Sequence, residues 1–318
     1  MFSTVRQIAK ENSWATRVAV VLARLPGLRG ASPSADSAIP ALFSDWKYVA
    51  GHCNICGKSA RFFYQEPSLY REQLSCEHCR STSRYRSIAR GLLEAIRETA
   101  GIEAQSLADL PTSYAGRNIR IYDTQPPFRY DPCAYPIPEY LGRCEWIDLH
   151  LSSYASGLPL GLERKPGITN QNLERLTFAD DYFDIVITSD VMEHVRLDAR
   201  AHAEIGRVLR SGGVYLFTVP HNWEWSQNLV RVRVDDEERP ETDVFVLEPE
   251  YHGDANSEDG AGVLSYRAYG QELEAQLRSV GVNLRYENVD IAPQAIMNTE
   301  LFYCVKVKTE PPSRSAPS

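Results

Sequence analysis

The chain of 318 residues is 43% hydrophobic and 24% charged, which is typical of a globular protein with one large domain or two smaller ones. Its formal net charge of -8 argues against a nucleic-acid-binding surface that extends over the whole chain. The most apolar N-terminal run, residues 18–23, lies between Arg17 and Arg24 and is too short for a membrane span or a signal peptide. We therefore expect a cytoplasmic protein without a membrane span.

Residues 1–45 and 309–318 are predicted to lie outside the packed domains. An amphipathic helix is expected around residues 18–25, ending at Pro26 and Gly27, and a weakly docked terminal helix is favoured over a membrane anchor. The Ser- and Pro-containing stretch 31–40 is typical of a linker. Residues 309–318 are expected to form a disordered tail.

Two Cys-x-x-Cys turns separated by nineteen residues mark the region 46–100. The four thiols belong to Cys53, Cys56, Cys76 and Cys79. Two such turns can present four thiolates tetrahedrally to Zn²⁺, and the length between them suits a β-hairpin. Since all four positions would be filled by protein, we expect a structural rather than a catalytic zinc. A chance arrangement of four reduced cysteines is the alternative, and a redox role is less favoured because no βαβ unit lies between the turns.

Helical periodicity follows the second Cys pair. The apolar residues that recur on one face are Tyr85, Ile88, Ala89, Leu92, Leu93 and Ile96. The basic residues Arg84, Arg86, Arg90 and Arg97 fall largely off that face. Between residues 53 and 97, eight Lys or Arg stand against four Glu. A solvated helix face is the favoured interpretation, and a phosphate-binding surface is the alternative.

Three strands are predicted in the next part of the chain. Residues 118–123 should form the first strand, residues 144–146 should end the second, and a third is expected near Ile168. Residues 185–188 are β-branched and suit a strand buried on both faces of a parallel sheet.

A helix, predicted over residues 197–209 and ended by Gly212 and Gly213, then leads to a strand at 214–219. This βαβ pattern predicts a doubly wound α/β sheet. Residues 220–269 show no clear period. A helix at 273–280, ended by Gly281, and strands at 284–289 and 301–307 complete the chain.

Three motifs in residues 176–220 match a known family as a set. They are Leu176, Phe178, Asp180, Phe183 and Asp184; then Asp190-Val191-Met192-Glu193-His194-Val195; then Arg207-Val208-Leu209 with Gly212-Gly213. The chain thereby resembles class I S-adenosylmethionine-dependent methyltransferases of the type 11 group. The resemblance covers residues 53–307. It implies an α/β, Rossmann-like doubly wound sheet with an antiparallel last strand over residues 101–308, preceded by a small zinc-ribbon module at 46–100.

The resemblance also implies a site for S-adenosylmethionine. The implied cofactor-binding residues are Asp123, Thr124, Gln125, Glu145, Asn172, Leu173, Ser189 and Asp190. Glu145 would accept hydrogen bonds from both ribose hydroxyls, by analogy with a Ser-Glu-Tyr strand end in a zinc-bearing subgroup. The first loop departs from the family, because Pro126 and Pro127 follow Gln125 and no glycine is present. A nicotinamide-dependent oxidoreductase is excluded by the same lack of a glycine-rich turn.

His194 is the candidate acid/base residue, and capping the following helix is its structural alternative. Polar and aromatic residues at 221–225 and 250–254 are expected to shape an acceptor site. The leading hypothesis is methyl transfer from S-adenosylmethionine to a small molecule or saccharide. The alternatives are a non-catalytic scaffold that kept the fold, and a nucleic-acid methyltransferase that grips its substrate with the zinc ribbon.

Overall fold

The computed structural model of the chain describes residues 41–253, 262–286 and 290–307. The predicted N-terminal helix, the linker at 31–40, the tail at 309–318 and residue Asp254 lie outside these ranges. Within the ranges, no helix is long and apolar enough to cross a membrane.

Nineteen strands and four α-helices make up the described part of the chain. In chain order the strands are β1 (Lys47–His52), β2 (Ser59–Tyr64), β3 (Ser75–Cys76), β4 (Ile119–Asp123), β5 (Phe128–Tyr130), β6 (Cys133–Tyr135), β7 (Ile147–Ser153), β8 (Glu163–Lys165), β9 (Ile168–Asn170), β10 (Phe183–Ser189), β11 (Leu209–Thr218), β12 (Leu229–Val230), β13 (Val232–Arg233), β14 (Val244–Phe245), β15 (Tyr251–His252), β16 (Val263–Leu264), β17 (Arg267–Ala268), β18 (Val282–Tyr286) and β19 (Phe302–Lys306). The α-helices are α1 (Ser83–Ala100), α2 (Ile137–Leu141), α3 (Asp198–Val208) and α4 (Glu272–Ser279).

The first three strands form a small antiparallel sheet in the order β1-β2-β3. Strands β2 and β3 make the hairpin expected between the two Cys-x-x-Cys turns, with Phe62 opposite Cys76. Helix α1 follows at once and ends at Gly101, whose φ of 72° is left-handed. The predicted apolar face of α1 is confirmed, since Ile88, Leu92 and its other predicted members are buried, apart from a half-buried Leu93.

The main sheet has eight strands in the order β18-β19-β11-β10-β4-β7-β9-β8. The five strands β9, β7, β4, β10 and β11 are parallel, whereas β19 is antiparallel to β11. The predicted Rossmann-like α/β sheet with an antiparallel last strand is therefore confirmed. Strand order reverses between β4 and β10, so this is the edge at which a doubly wound sheet binds ligands, beyond the carboxyl ends of the strands.

Strand β10 separates two buried layers because successive side chains of a strand point to opposite faces. On one face, Ile185 and Ile187 pack with residues 46–100, called the Cys-rich module below, which contain the four cysteines and α1. Val186 packs on the other face with residues of α3 and α4. The first layer is continuous across residue 100, where a domain boundary is predicted, and that boundary stays a prediction.

The helix between β10 and β11 ends earlier than predicted. Helix α3 ends at Val208, and Leu209 already has an extended backbone. Gly212 is left-handed, with a φ of 75°, but it lies inside an irregular start of β11 rather than at a helix end. The register explains this, since Phe183 pairs with Leu209 while Ile185 pairs with Val214.

The second parallel strand lies later in the chain than predicted. Residues 144–146 do not end this strand, because β7 begins at Ile147 and runs to Ser153. Ile147 pairs with Ile119 at the start of β4, so residues 144–146 lie at the amino edge of the sheet.

Residues 220–269 contain short two-stranded ladders rather than one continuous unit, pairing β12 with β17, β13 with β14 and β15 with β16. The predicted last helix is confirmed as α4, with Gly281 left-handed at φ 73°. Strand β18 starts two residues before the predicted 284, and residues 287–289 lie outside the described ranges.

Candidate functional site

The four cysteines of the two Cys-x-x-Cys turns meet in one buried cluster. Their sulfur atoms all lie within 4.8 Å of one another. The Sγ atoms of Cys53 and Cys79 are 3.7 Å apart, and those of Cys56 and Cys76 are 3.9 Å apart. None of the four is in a disulfide. A tetrahedron with Zn–S bonds of about 2.3 Å has edges of about 3.8 Å, so these two separations match the edges of a tetrahedral zinc site.

The two turns have the same backbone structure. The amide of Gly57 donates to the carbonyl of Cys53, and the amide of Arg80 donates to that of Cys76, both at 2.9 Å. Gly57 and Arg80 are both left-handed, with φ of 70° and 62°. Glycine adopts this conformation without strain, whereas arginine does so at a cost. The second turn is therefore a strained copy of the first.

Arg86 lies beside the cysteine cluster and is fully buried. Its guanidinium donates to the carbonyl oxygens of four residues, namely Ser81, Leu74, Gln294 and Ala295. A zinc ion with four thiolates carries a net negative charge, which this buried cation would balance. The expected solvated helix face is therefore wrong for Arg86, because the loop of the Cys-rich module covers it.

At the carboxyl end of β4, Asp123 is fully buried. Its carboxylate accepts hydrogen bonds from Tyr135 Oη at 2.7 Å and from the Gln125 amide at 3.0 Å. Burial raises the pKa of Asp123 to about 7, although both hydrogen bonds oppose the shift. Thr124 is held on the neighbouring strand, where its amide donates to the carbonyl of Ile187 at 3.1 Å.

At the carboxyl end of β10, Asp190 is bound by residues from the Cys-rich module. Arg71 donates to its two carboxylate oxygens at 2.8 and 2.6 Å. Arg84 donates to Ser189 Oγ at 2.7 Å and lies 3.5 Å from the Asp190 carboxylate. Burial alone would raise the pKa of Asp190, but the two guanidinium groups outweigh it and hold the pKa well below its ordinary value. Arg84 is thus also turned inward rather than solvated.

Asn172 and Leu173 follow β9 on the same edge of the sheet. Asn172 Oδ1 accepts a hydrogen bond from the amide of Glu174 at 2.9 Å, and Leu173 is buried. The segments 123–125, 172–173 and 189–190 therefore all leave parallel strands at their carboxyl ends, as the predicted cofactor rim requires.

Glu145 does not join this rim. It precedes β7, at the amino edge, and its side chain is exposed. The carboxyl end of β7 is instead Ser152-Ser153-Tyr154, so the acid of the expected Ser-Glu-Tyr strand end is replaced by Ser153. Arg164 donates to Ser153 Oγ at 2.7 Å. The expected placement of Glu145 is wrong because the motif was matched to residues that precede the strand.

A second cluster of metal-ligand side chains begins three residues after Asp190. Glu193, His194 and His252 each bring one ligand atom to within 4.8 Å of the others. Glu193 is fully buried, and among the described residues neither carboxylate oxygen accepts a hydrogen bond from another residue. Burial and then the Asp190 carboxylate raise the pKa of Glu193 well above its ordinary value.

His194 is the one catalytic candidate that the sequence predicts, and that role stays a prediction. The adjacent Glu193 and the His252 of the 250–254 element were visible in the sequence. Their approach depends on the β15–β16 ladder, which periodicity did not reveal.

Other residues of the expected acceptor region are partly engaged. His221 Nδ1 lies 2.9 Å from Glu300 Oε2, and its ring packs against Trp223 and Phe302. A cavity of about 460 Å³ lies at the opposite, amino edge of the sheet, where Arg117, Asp148 and Arg210 are among its lining residues. None of the residues that line this cavity is a predicted site residue.

One family model matches part of the chain. Residues 142–217, about a quarter of the chain, match the family model of a methyltransferase domain. No curated protein matches the sequence.

The chain is similar in structure to several solved proteins. An S-adenosylmethionine-dependent methyltransferase from Clostridium acetobutylicum has 17% identity and a TM-score of 0.39, with 71% of this chain and 92% of that chain covered. The 1,6-didemethyltoxoflavin-N1-methyltransferase of Burkholderia thailandensis has 12% identity and a TM-score of 0.36, with 70% and 79% covered. A [4+2]-cyclase has 12% identity and a TM-score of 0.37, with 61% and 77% covered. At these values the likenesses carry no inference about activity.

Proposed function

We propose that the chain binds S-adenosylmethionine at the carboxyl edge of the main sheet and transfers its methyl group to a small molecule or saccharide. The observation that carries this proposal is the family match over residues 142–217, because this segment contains β7, β9, β10, α3 and β11. Four of these elements are parallel strands of the main sheet, and one of them, β10, borders the reversal of strand order, where doubly wound sheets bind ligands.

The proposed cofactor site consists of four chain segments at that edge: 123–125, 152–154, 172–173 and 189–190. S-adenosylmethionine would supply an electrophilic methyl group. Thr124 and Gln125 would contact its methionine part, Ser153 would take the ribose position in place of an acid, and Asn172 would accept from the adenine amino group. Methyl transfer needs alignment of nucleophile, methyl carbon and leaving sulfur, so positioning by these residues would supply most of the rate enhancement.

The acceptor is proposed to enter beside the segments 221–225 and 250–253. Tyr251 is 60% exposed and Trp225 is half-buried, so at least one aromatic face is available to a sugar-like ligand. The proposed acceptor class rests on this mixture of aromatic and polar side chains.

A structural zinc ion is proposed for the four buried cysteines. The support is the fit of the Sγ–Sγ distances of 3.7 and 3.9 Å to a tetrahedral site, together with the buried Arg86. With four protein ligands the ion would have no open position, so it would stabilise the module rather than take part in the reaction.

The second candidate function is a scaffold that kept the fold without the cofactor. Two observations favour it. The ribose position carries Ser153 instead of an acid, and the Asp190 carboxylate is already neutralised by Arg71 and Arg84. The nucleic-acid alternative has less support, because Arg84 and Arg86 face inward and would not meet a phosphate backbone.

Titration calorimetry of the zinc-loaded protein with S-adenosylhomocysteine tests the proposal. Ser153→Glu restores an acid where the ribose hydroxyls would lie, and one charged hydrogen bond of about 1.5 kcal/mol should tighten binding about tenfold. Glu145→Gln, at the opposite edge, is the matched control and should bind like the wild type.

Micromolar binding by the wild type, strengthened in Ser153→Glu and unchanged in Glu145→Gln, would support the methyltransferase. No binding by any of the three proteins at millimolar ligand would overturn it and leave the scaffold. Equal effects of the two substitutions would mean that the ribose does not lie at Ser153.

A further inference from the structure

We propose that Glu193, His194 and His252 form a second metal site, which binds a divalent first-row transition metal through one carboxylate and two imidazoles. The site is distinct from the cysteine cluster. It lies where the chain leaves β10, in the 3₁₀ turn Met192–His194, and receives His252 from β15.

The distances suit a metal ion after a small contraction. His194 Nε2 lies 3.7 Å from Glu193 Oε1, and His252 Nδ1 lies 3.9 Å from the same oxygen. Metal–ligand bonds of about 2.1 Å place tetrahedral neighbours about 3.4 Å apart. These two separations therefore need to shorten by only a few tenths of an ångström, and the two ring nitrogens lie within 4.8 Å of each other, so side-chain rotation can bring the three ligands together.

Each histidine is oriented by a hydrogen bond on its other ring nitrogen. His194 Nδ1 lies 2.9 Å from the carbonyl oxygen of Leu264, so it carries the proton and donates. His252 Nε2 lies 3.1 Å from Glu250 Oε1. Metal-binding histidines nearly always donate one N–H to a carbonyl or carboxylate, which fixes the tautomer and leaves the other nitrogen toward the metal.

The buried Glu193 carboxylate gives the cluster its strongest argument for a cation. A buried acid without a hydrogen-bond donor is expensive, and proteins tolerate it where a metal or a proton compensates the charge. Neither carboxylate oxygen accepts a hydrogen bond from another residue in the described ranges, both are buried, and Oε1 lies within 3.9 Å of a ring nitrogen of each imidazole.

The backbone that carries two of the ligands is held rigidly. Arg267, almost fully buried, donates to the carbonyl oxygens of Val195 and Arg196. Tyr269 Oη donates to the carbonyl of Met192 at 3.1 Å, and the amide of Tyr266 donates to the carbonyl of Glu193 at 2.8 Å. Such support is what a preorganised ligand set requires.

The ligand types select the class of metal. Imidazole and carboxylate together suit Zn²⁺, Fe²⁺ or Co²⁺, whereas Mg²⁺ and Ca²⁺ prefer oxygen-only sites. Three protein ligands leave coordination positions open to water or to another oxygen donor. On the proposed function, on which this one consequence rests, that donor would be a hydroxyl of the acceptor, whose pKa the metal would lower. Metal binding by His194 would replace its expected acid/base role.

Cobalt loading of the full chain under reducing conditions tests the site without any substrate. Bound cobalt per chain is measured by elemental analysis after desalting. The wild type should hold two cobalt ions, and Glu193→Gln and His252→Gln should each hold one. His150→Gln is the control. His150 lies on β7 and, among the described residues, faces the carboxylate of Asp148 alone, so it has too few partners for a metal site, and the variant should still hold two cobalt ions.

The thiolate-to-cobalt charge-transfer absorption reports the cysteine cluster and should be equal in all four proteins, which also verifies that the variants are folded around it. A wild type that holds one cobalt, or two cobalt ions in both variants, would overturn the proposal. If a variant misfolds, titration of the metal-free wild type with cobalt tests the site instead. The second equivalent must add ligand-field absorption without thiolate charge transfer, and a titration that ends after the first equivalent contradicts the site.

Discussion

Arg71 holds the carboxylate of Asp190 with hydrogen bonds of 2.8 and 2.6 Å, although 119 positions separate the two residues in the chain. The pair joins the segment between the two Cys-x-x-Cys turns to the end of β10. Since Arg84 also contacts Ser189 from the start of α1, the Cys-rich module borders one side of the proposed cofactor edge. A substitution in the module should therefore alter the positions of Ser189 and Asp190 at that edge.

Breaking this pair should destabilise the fold. Arg71→Ala leaves the Asp190 carboxylate with Arg84 at 3.5 Å and Thr218 at 2.8 Å as its charged and polar neighbours. Both side chains of the broken pair are 23% exposed, so we expect a loss of about 1–3 kcal/mol in the free energy of unfolding, less than for a fully buried pair. Urea unfolding measures it. Arg97→Ala, at an exposed position, should change the value by less than about 0.5 kcal/mol, and an equal loss in both variants would contradict a specific role for the pair.

Gly57→Ala should cost more stability than Gly101→Ala. Both glycines are left-handed, with φ of 70° and 72°, so the backbone strain of about 1 kcal/mol is matched. A methyl group at Gly57 would meet Ser106 Oγ at 2.8 Å, whereas nothing lies within 4 Å of the same atom at Gly101. We expect a difference of about 1–2 kcal/mol between the variants in urea unfolding. Equal losses would show that strain alone matters at Gly57.

Because of Asp123, the free energy of unfolding should decrease as the pH rises. The Asp123 folded-state pKa of about 7 is raised above the ordinary 3.8, so between these values the folded protein keeps a proton that the unfolded chain has released. Unfolding free energy then decreases with rising pH across this window, by at most about 4 kcal/mol, and levels off above it. Asp123→Asn should remove this component of the pH dependence, measured by urea unfolding at a series of pH values. The exposed Asp45→Asn should keep the wild-type profile, and parallel profiles for wild type and Asp123→Asn would refute the prediction.

Loss of the zinc ion proposed for the four cysteines should lower the stability of the whole described fold. The cysteines belong to the same buried layer as Ile121 of β4 and Leu216 of β11, so their loss removes support from the main sheet. Cys53→Ser should reduce the zinc content by one ion per chain and lower the midpoint of a single thermal transition. Cys133→Ser, outside the cluster, should leave both quantities unchanged. Two separate transitions in Cys53→Ser would mean that the module melts independently of the sheet.

The sequence predicted those elements whose signal is local. β10 is a run of apolar and β-branched residues, and α1 and α3 carry apolar residues at helical spacing, so their positions were correct. For β7 a local signal was also present, since Ile147, Leu149 and Leu151 alternate with polar residues. The second strand was predicted too early in the chain because the Ser-Glu-Tyr motif was matched to residues 144–146, and this alternation was given less weight.

The site was less predictable because its contacts depend on tertiary structure. The four cysteines were found from their spacing, which reflects a local turn repeated twice. The inward orientation of Arg84 and Arg86 could not be read from the helix pattern, since both lie off the apolar face of α1 and are covered by residues of another segment. The approach of His252 to Glu193 likewise requires the β15–β16 ladder to be in place.

Helix α1 covers one face of the main sheet although it comes before the first strand of that sheet. Ile88 and Leu92 pack in the same layer as Ile187 and Leu216, and only the five-residue α2 is helical between β4 and β7. A fragment cut at residue 101 would therefore expose a broad apolar surface and self-associate in water. The Cys-rich module therefore cannot be removed without exposing the core of the main sheet. A chimeric protein that contains this sheet would need the module as well.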